Sequence, residues 1–223
     1  MVVRVAEQCV QAKVHRVVVA SDSDQVVGAV RQFGFEAILT RSNHPSGTDR
    51  LAEAAQRLAI PDEDVVVNVQ GDEPLIEASL IDALVTQLMA FPVASIATAA
   101  HRLPDMQSLN NPNIVKLVLN RDGEAMYFSR SPIPHDRDQR RAQFGEEPLR
   151  HVGIYAYRMP FLRCFPLLSS PAIEQLEALE QLRALWHGFR ITVYQMREAG
   201  APGVDTPEDL ELVRALFRAR SEN

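Results

Sequence analysis

Cysteine is nearly missing from this chain. Its two cysteines, Cys9 and Cys164, lie far apart with no CxxC, which excludes a disulfide framework and a zinc knuckle. No uninterrupted apolar run approaches the length of a membrane span, so no membrane partner is expected. The opening Met1-Val2-Val3-Arg4 flows into a mixed apolar and polar pattern unlike a secretion signal. Positive charge is not in excess either. With 23 Lys and Arg against 29 Asp and Glu, the formal net charge is −6, which argues against a nucleic-acid surface but permits a local basic pocket for a small anion. The ten glycines form neither GxGxxG nor GxxxxGK(S/T), and HExxH and GxSxG are also missing. Dinucleotide-binding, P-loop, zincin and nucleophile-elbow readings thereby lose their main support. A cytoplasmic protein is the expectation.

What is present is an ordinary globular composition. Of 223 residues, 46% are hydrophobic and 23% charged, enough for a full core and for one domain over 1–223. The apolar pattern alternates between two periods. Helical spacing opens the chain at Val2, Val3, Val5, Ala6, Cys9 and Val10. A β-branched run, Val17-Val18-Val19-Ala20, then reads as a buried strand. Helical spacing returns over 24–33, and Ala37-Ile38-Leu39 is a short strand. A helix is expected from Gly47 to Ala59, a strong strand at Val65–Val69, a helix over Ala78–Met89 and a strand over Ala94–Ala99. Such alternation predicts a doubly wound α/β domain with a mainly parallel sheet. Ile114–Leu119 and Ala125–Phe128 flank Asn120-Arg121-Asp122-Gly123, the signal of an antiparallel hairpin. The polar stretch 135–149 reads as a surface loop. A strand at Val152–Tyr157, one long helix from Ile173 to His187, and a strand at Ile191–Tyr194 follow. Thr206-Pro207 then opens the last helix with a capping Thr and Pro at its first position.

Several clusters could carry chemistry. Asn68-Val69-Gln70-Gly71-Asp72-Glu73-Pro74 ends the strongest strand, and ligands of open α/β sheets gather beyond the carboxyl ends of strands. A carboxylate there suits Mg²⁺, which borrows other ligands from water and substrate phosphates; equally, Asp72 could cap the helix starting near Glu77. Asp205 in Gly203-Val204-Asp205-Thr206-Pro207 is a second candidate, or else an acidic residue favoured by the helix dipole. Arg41 to Arg50 joins a strand to a helix with Ser46-Gly47-Thr48, which allows close backbone approach to a ligand but is also an ordinary helix cap. Arg130 follows an apolar strand, where its planar fork suits a carboxylate. His151, Gly153 and Tyr155 share a strand face by the two-residue period. Glu180 and Gln181 lie on the expected long helix and could simply be solvated.

In their order, SGTDRLAEAA, VVNVQGDEPLI, NPNIVKLVL, YFSRSPIPHDRD, HVGIYAYR, LEQLRALWHG and GVDTPEDLE resemble the CMP-Kdo synthetase family (3-deoxy-manno-octulosonate, or Kdo, cytidylyltransferases). VNVQGDEP points to nucleotidyltransferases in general, whereas the last three stretches are specific to the Kdo branch. The resemblance implies a Rossmann-like nucleotidyltransferase fold, a homodimer, and Mg²⁺-dependent transfer of CMP from CTP to Kdo. Pyrophosphate would leave, and CMP-Kdo would feed lipopolysaccharide synthesis. By the same resemblance Asp72 and Asp205 hold the metal and are the catalytic pair, while Ser46, Gly47 and Arg50 surround the cytidine of CTP. Gln70, Arg130, His151, Tyr155, Glu180 and Gln181 contact the sugar acid. Relatives begin with a strand and a loop of the type IPARxxSxRLPGKP that binds the triphosphate, and this chain starts at the helix after it. The resemblance therefore implies a form truncated at its N-terminus relative to the family, or a start site placed too late. A cytidylyltransferase for another acidic sugar and a truncated inactive relative are the alternatives.

Overall fold

The computed structural model describes residues 1–103, 105–140, 147–201, 203–204 and 206–221, the last three by their backbone alone. The chain divides into two compact units: Met1–Pro45 with Val69–Ala83 and Gly200–Asn223, and Ser46–Asn68 with Leu84–Ala199. The architecture is Rossmann-like α/β.

The first unit begins with α1 (Val2–Cys9), β1 (Val18–Ser21), α2 (Asp24–Gln32) and β2 (Glu36–Leu39), and β1 and β2 pair in parallel. The start of α2 is set by Ser23, whose hydroxyl accepts the Val26 N–H at 3.4 Å. The apolar stripe of α2 is buried through Val27 and Val30, which pack with Ala37 and the flanking Val2, Val3, Val19, Val26 and Phe35. Near the end of the chain lies α9 (Pro207–Ser221). Thr206 caps it as its sequence predicts. The Thr206 hydroxyl accepts the Asp209 N–H at 3.2 Å and donates to the Asp209 carboxylate at 2.8 Å, and that carboxylate accepts the Thr206 N–H at 2.9 Å.

The second unit holds α3 (Gly47–Arg57), β3 (Val65–Asn68), β4 (Ile96–Arg102), α5 (Met106–Asn110), β5 (Lys116–Leu119), β6 (Ala125–Ser129) and β7 (Leu149–Arg158); α4 (Ala78–Ala90) leads into it. These are followed by α6 (Met159–Cys164), α7 (Ala172–Glu177), α8 (Gln181–Trp186) and β8 (Ile191–Gln195). Its sheet runs β6-β5-β7-β4-β8, with β3 also paired to β7. β4 and β8 are parallel. β7 enters antiparallel to β4 along its whole length, with β5 beside its first residues and β3 beside its last. This strand ties the parallel part of the sheet to the β5–β6 hairpin. Asn120 builds the hairpin turn by accepting the N–H groups of Asp122 and Glu124, each at 2.9 Å, and Gly123 supplies the φ of +79° that the turn needs. Phe128, Met159, Leu162, Leu182, Ala184 and Ile191 are sealed in the core. Among the described residues no helix is long and apolar enough to cross a membrane.

One expected element is different. The helix expected over 173–187 is two short helices, α7 and α8, separated at Ala178, which takes a left-handed conformation (φ 50°, ψ 51°). Helical periodicity is satisfied on both sides of the break, so the pattern does not reveal it. Tertiary bonds hold it. The Arg130 guanidinium donates through Nε to the Glu177 carbonyl at 2.7 Å and through Nη2 to the Ala178 carbonyl at 3.5 Å. Arg183 of α8 reaches back to Glu174 of α7 with two bonds, at 2.8 and 2.5 Å. Carbonyls left without helical partners at the break are thus met by an arginine.

Candidate active site

In the second unit Ser46, Gly47, Arg50 and Glu180 meet at the N-terminus of α3, and Tyr157 links that end to Tyr155 and His151. Ser46 is its N-cap: the hydroxyl accepts the Asp49 N–H at 3.2 Å and donates to the Asp49 carboxylate at 2.6 Å. Gly47, the first helical residue, is exposed, and a Cβ there would meet no atom within 4 Å, so this end is open to a ligand. Arg50, partly buried, begins the next turn, its N–H bonded to the Ser46 carbonyl at 3.3 Å.

Thr48, next to Gly47, is the junction. Glu180 stands at the break before α8 and takes the Thr48 hydroxyl at 2.8 Å on one oxygen and the Thr48 N–H at 3.3 Å on the other. A carboxylate is well placed there because the first turn of a helix presents unpaired N–H groups and partial positive charge. The carboxylate can only accept, so the Thr48 proton goes to Glu180 and the Tyr157 hydroxyl, 3.1 Å away, donates to Thr48. Burial foremost, and the Glu180 charge after it, raise the Tyr157 hydroxyl, so it stays protonated as that bond demands.

From Tyr157 a row of rings runs along β7. Tyr157 stacks on Tyr155 at 5.7 Å between centroids, and His151 lies 5.4 Å from Tyr155 and 5.1 Å edge-on from Phe128. His151 and Tyr155 meet despite a bulge: the pairing with β4 jumps from Thr98↔Tyr155 to Ala99↔Val152. Burial pushes the His151 imidazolium down to about 3, so the ring is neutral near pH 7. Burial likewise raises Tyr155 well above the usual phenol range, assisted by Tyr157 and Glu180.

Arg183, Gln181 and Arg130 frame this cluster. Arg183 is buried, bonded twice to Glu174, 3.7 Å from the Asp49 carboxylate and 4.4 Å above the Phe165 ring. Its bonds to Glu174 foremost, then the nearby charges of Glu174, Asp49 and Glu180, hold it protonated above the usual guanidinium range. Gln181 is 6% exposed, and its Nε2 is a sealed donor with no hydrogen-bond partner. Arg130 also donates through Nη1 to the Pro112 carbonyl at 3.1 Å, and its own N–H goes to Glu177 at 2.9 Å. The fully buried Lys116 supports the same corner, donating to the carbonyls of Asn111 and Ile114 at 2.9 and 2.7 Å and to that of Arg130.

Two other sequence candidates belong to the first unit. Gln70 is exposed, its carbonyl accepting the Glu73 N–H at 3.2 Å. Asp72 sits partly buried in the turn after β3, and α4 begins only at Ala78, so Asp72 is not its cap. The Asp72 carbonyl accepts the Val204 N–H at 2.9 Å, which brings the segment before α9 against this turn. Gly203 permits that approach, since a Cβ there would lie 2.9 Å from the Glu73 carboxylate. Asp205 lies outside the described residues. Among the described residues no three His, Cys, Asp or Glu side chains gather as a metal site. Mg²⁺ held by one or two carboxylates, water and phosphates needs no such group, and the hard oxygens of Asp72 fit that donor set.

Thr48, Tyr157, Arg183 and Thr98 were not singled out by sequence. Tyr157 carried a signal, the two-residue period continuing from His151 and Tyr155. Thr48 was hidden in its capping motif, and Arg183 and Thr98 offered none.

The cytidylyltransferase family model matches residues 1–196. The chain is 40% identical to a solved CMP:2-keto-3-deoxy-manno-octonic acid synthetase complexed with CTP, covering 97% of this chain and 87% of that one at a TM-score of 0.88. A cytidylyltransferase from Leptospira borgpetersenii serovar Hardjo-bovis (strain JB197) is 15% identical, covers 96% of this chain and 73% of its own, and has a TM-score of 0.59, a likeness of fold.

Proposed function

This chain belongs to the cytidylyltransferase family, and from that premise we propose that it transfers CMP from CTP to 3-deoxy-manno-octulosonate, releasing pyrophosphate and supplying CMP-Kdo for lipopolysaccharide synthesis. The observation that carries the reading is 40% identity across nearly the whole chain to a CMP-Kdo synthetase that binds CTP. The site chemistry agrees with it. At the first turn of α3 the Thr48 and Asp49 N–H groups are taken by Glu180 and Ser46, which leaves the exposed Gly47 N–H for the nucleotide, with Arg50 one turn on. The ring row and the neighbouring polar groups suit a polyhydroxylated acid. His151 and Tyr155 stand along β7, and Glu180 and Gln181 head α8; Gln70 is assigned to the sugar acid by its motif alone.

Arg130 would meet the sugar carboxylate. Its bonds to Pro112 and Ala178, at 3.1 and 3.5 Å, are the longer ones and can be exchanged for a ligand, while Nε keeps Glu177 at 2.7 Å. Asp72, with Asp205, would hold Mg²⁺. When bound there, the metal lowers the pKa of the attacking sugar hydroxyl and offsets charge on the transferred phosphate. The protein's own residues orient both substrates, and no covalent protein intermediate is needed. The active form is a cytoplasmic homodimer.

The test is pyrophosphate release from CTP and Mg²⁺ by the 223-residue chain as acid sugars are varied. Release should require Kdo and be lost in Asp72→Asn without change in the circular dichroism spectrum. Equal release with a sialic acid would overturn the sugar assignment. Near-normal turnover by Asp72→Asn would overturn the metal assignment.

A further inference from the structure

We infer that Thr98 is a positioning residue that holds His151 as its neutral Nε2–H tautomer, so that a bare Nδ1 accepts a hydrogen bond from a hydroxyl of the sugar acid. The proposal rests on the function above for the identity of the sugar, but not for the state of the imidazole.

The argument is a count of protons. The Thr98 hydroxyl lies 2.9 Å from His151 Nε2, 2.8 Å from the Ile154 carbonyl and 3.3 Å from the Val152 carbonyl. Thr98 is fully buried, so bulk solvent does not share the task. A hydroxyl has one proton, and both carbonyls can only accept. If that proton went to His151, the Ile154 oxygen would face the Thr98 oxygen lone pair to lone pair at 2.8 Å with nothing between them. A buried polar contact of that kind is costly. The proton therefore goes to Ile154, and His151 must donate from Nε2.

The bulge in β7 creates this demand. Gly153 and Ile154 stand opposite no residue of β4, because the register passes directly from Tyr155 to Val152. Carbonyls in the bulge lose their regular ladder donor, and the Thr98 hydroxyl replaces it. The edge of Phe128 and the tilted ring of Tyr155 hold the imidazole in that plane.

Nδ1 is then the free nitrogen. Among the described residues it has no hydrogen-bond partner, and it is not among the sealed unpartnered side-chain atoms, which are Thr40 Oγ1, Glu124 Oε1 and Gln181 Nε2. It is reachable on a partly exposed residue. Burial, which keeps the ring from taking a second proton, supports the same state. A bare, neutral nitrogen repels a carboxylate and binds a donor. A sugar hydroxyl is the matching group, and the acid group is read elsewhere.

The test uses the full chain with ¹⁵N-labelled histidine, the His151 signals being assigned by their loss in His151→Gln. In ligand-free protein at neutral pH, Nε2 should be protonated and Nδ1 bare; an Nδ1–H tautomer or an imidazolium would overturn the assignment. Thr98→Val should mix the tautomers and weaken Kdo binding by about tenfold, the worth of one hydrogen bond, without weakening CTP binding. Thr98→Ser should restore both; unchanged tautomer populations in Thr98→Val would overturn the role of Thr98. With CTP, Mg²⁺ and Kdo added, the Nδ1 signal should move. An unmoved Nδ1 while calorimetry registers Kdo overturns the hydroxyl contact. Absence of any Kdo heat sinks the functional reading and the sugar contact together, while the ligand-free tautomer still decides for or against Thr98.

Discussion

The two ends of the ring row in the second unit solve burial in opposite ways. At the α3 end, Asp49, Glu174 and Glu180 gather around one buried arginine and a helix N-terminus. At the β7 bulge, His151 gives up its charge and bonds to a hydroxyl. The difference lies in what partners each end supplies. A carboxylate keeps its charge out of water when a guanidinium or first-turn N–H groups compensate it. A histidine whose Nε2–H is met by a hydroxyl and whose Nδ1 faces no carboxylate among the described residues has nothing to stabilise a second proton, so burial decides its state.

Removing the cation should break the charged end most severely. Arg183→Met leaves Glu174 and Asp49 without their buried partner and should cost about 3–5 kcal/mol in urea unfolding. A smaller loss is expected from Thr48→Val, which removes a hydroxyl bond from Glu180 and the acceptor of Tyr157. About 1.5–3 kcal/mol should be lost, and Thr48→Ser should recover most of it by the same measurement. The neutral end is sharpened by pH. Because folded His151 resists protonation down to about 3 while the unfolded ring takes a proton near 6.5, the unfolded state binds more protons between those values. The His151 contribution to stability is therefore full above 6.5 and slopes downward as the pH falls toward about 3. His151→Phe should remove that slope from a series of unfolding curves. Least of all, Ser46→Ala should cost about 1 kcal/mol through its lost cap, read as a small shift in midpoint.

Much of this fold is legible in the chain. The Val65–Asn68 strand, the Asn120–Gly123 hairpin and the Thr206 cap follow from local residue chemistry, and each is found where that chemistry places it. The break at Ala178 is not legible, because neither Ala178 nor its neighbours favour a left-handed turn. Arg130 and the Arg183–Glu174 pair impose it from other elements. The place of Glu180 depends on that break, since it stands ahead of α8 with its carboxylate on Thr48 rather than midway along a helix. Thr98 offers a similar lesson. A threonine in an apolar strand says nothing by itself, and its role exists only because β7 bulges beside it.

By itself the sequence determined the alternation of strands and helices, the caps and the family, because periodicity, turn chemistry and motif order are written in neighbouring residues. The tertiary structure alone decided that Ser46, Glu180 and Tyr157 meet through Thr48, that one arginine compensates Asp49 and Glu174, and that His151 is neutral. Those outcomes depend on which groups face one another after water is excluded, and residues as far apart as Thr48 and Glu180 become neighbours only in the folded chain.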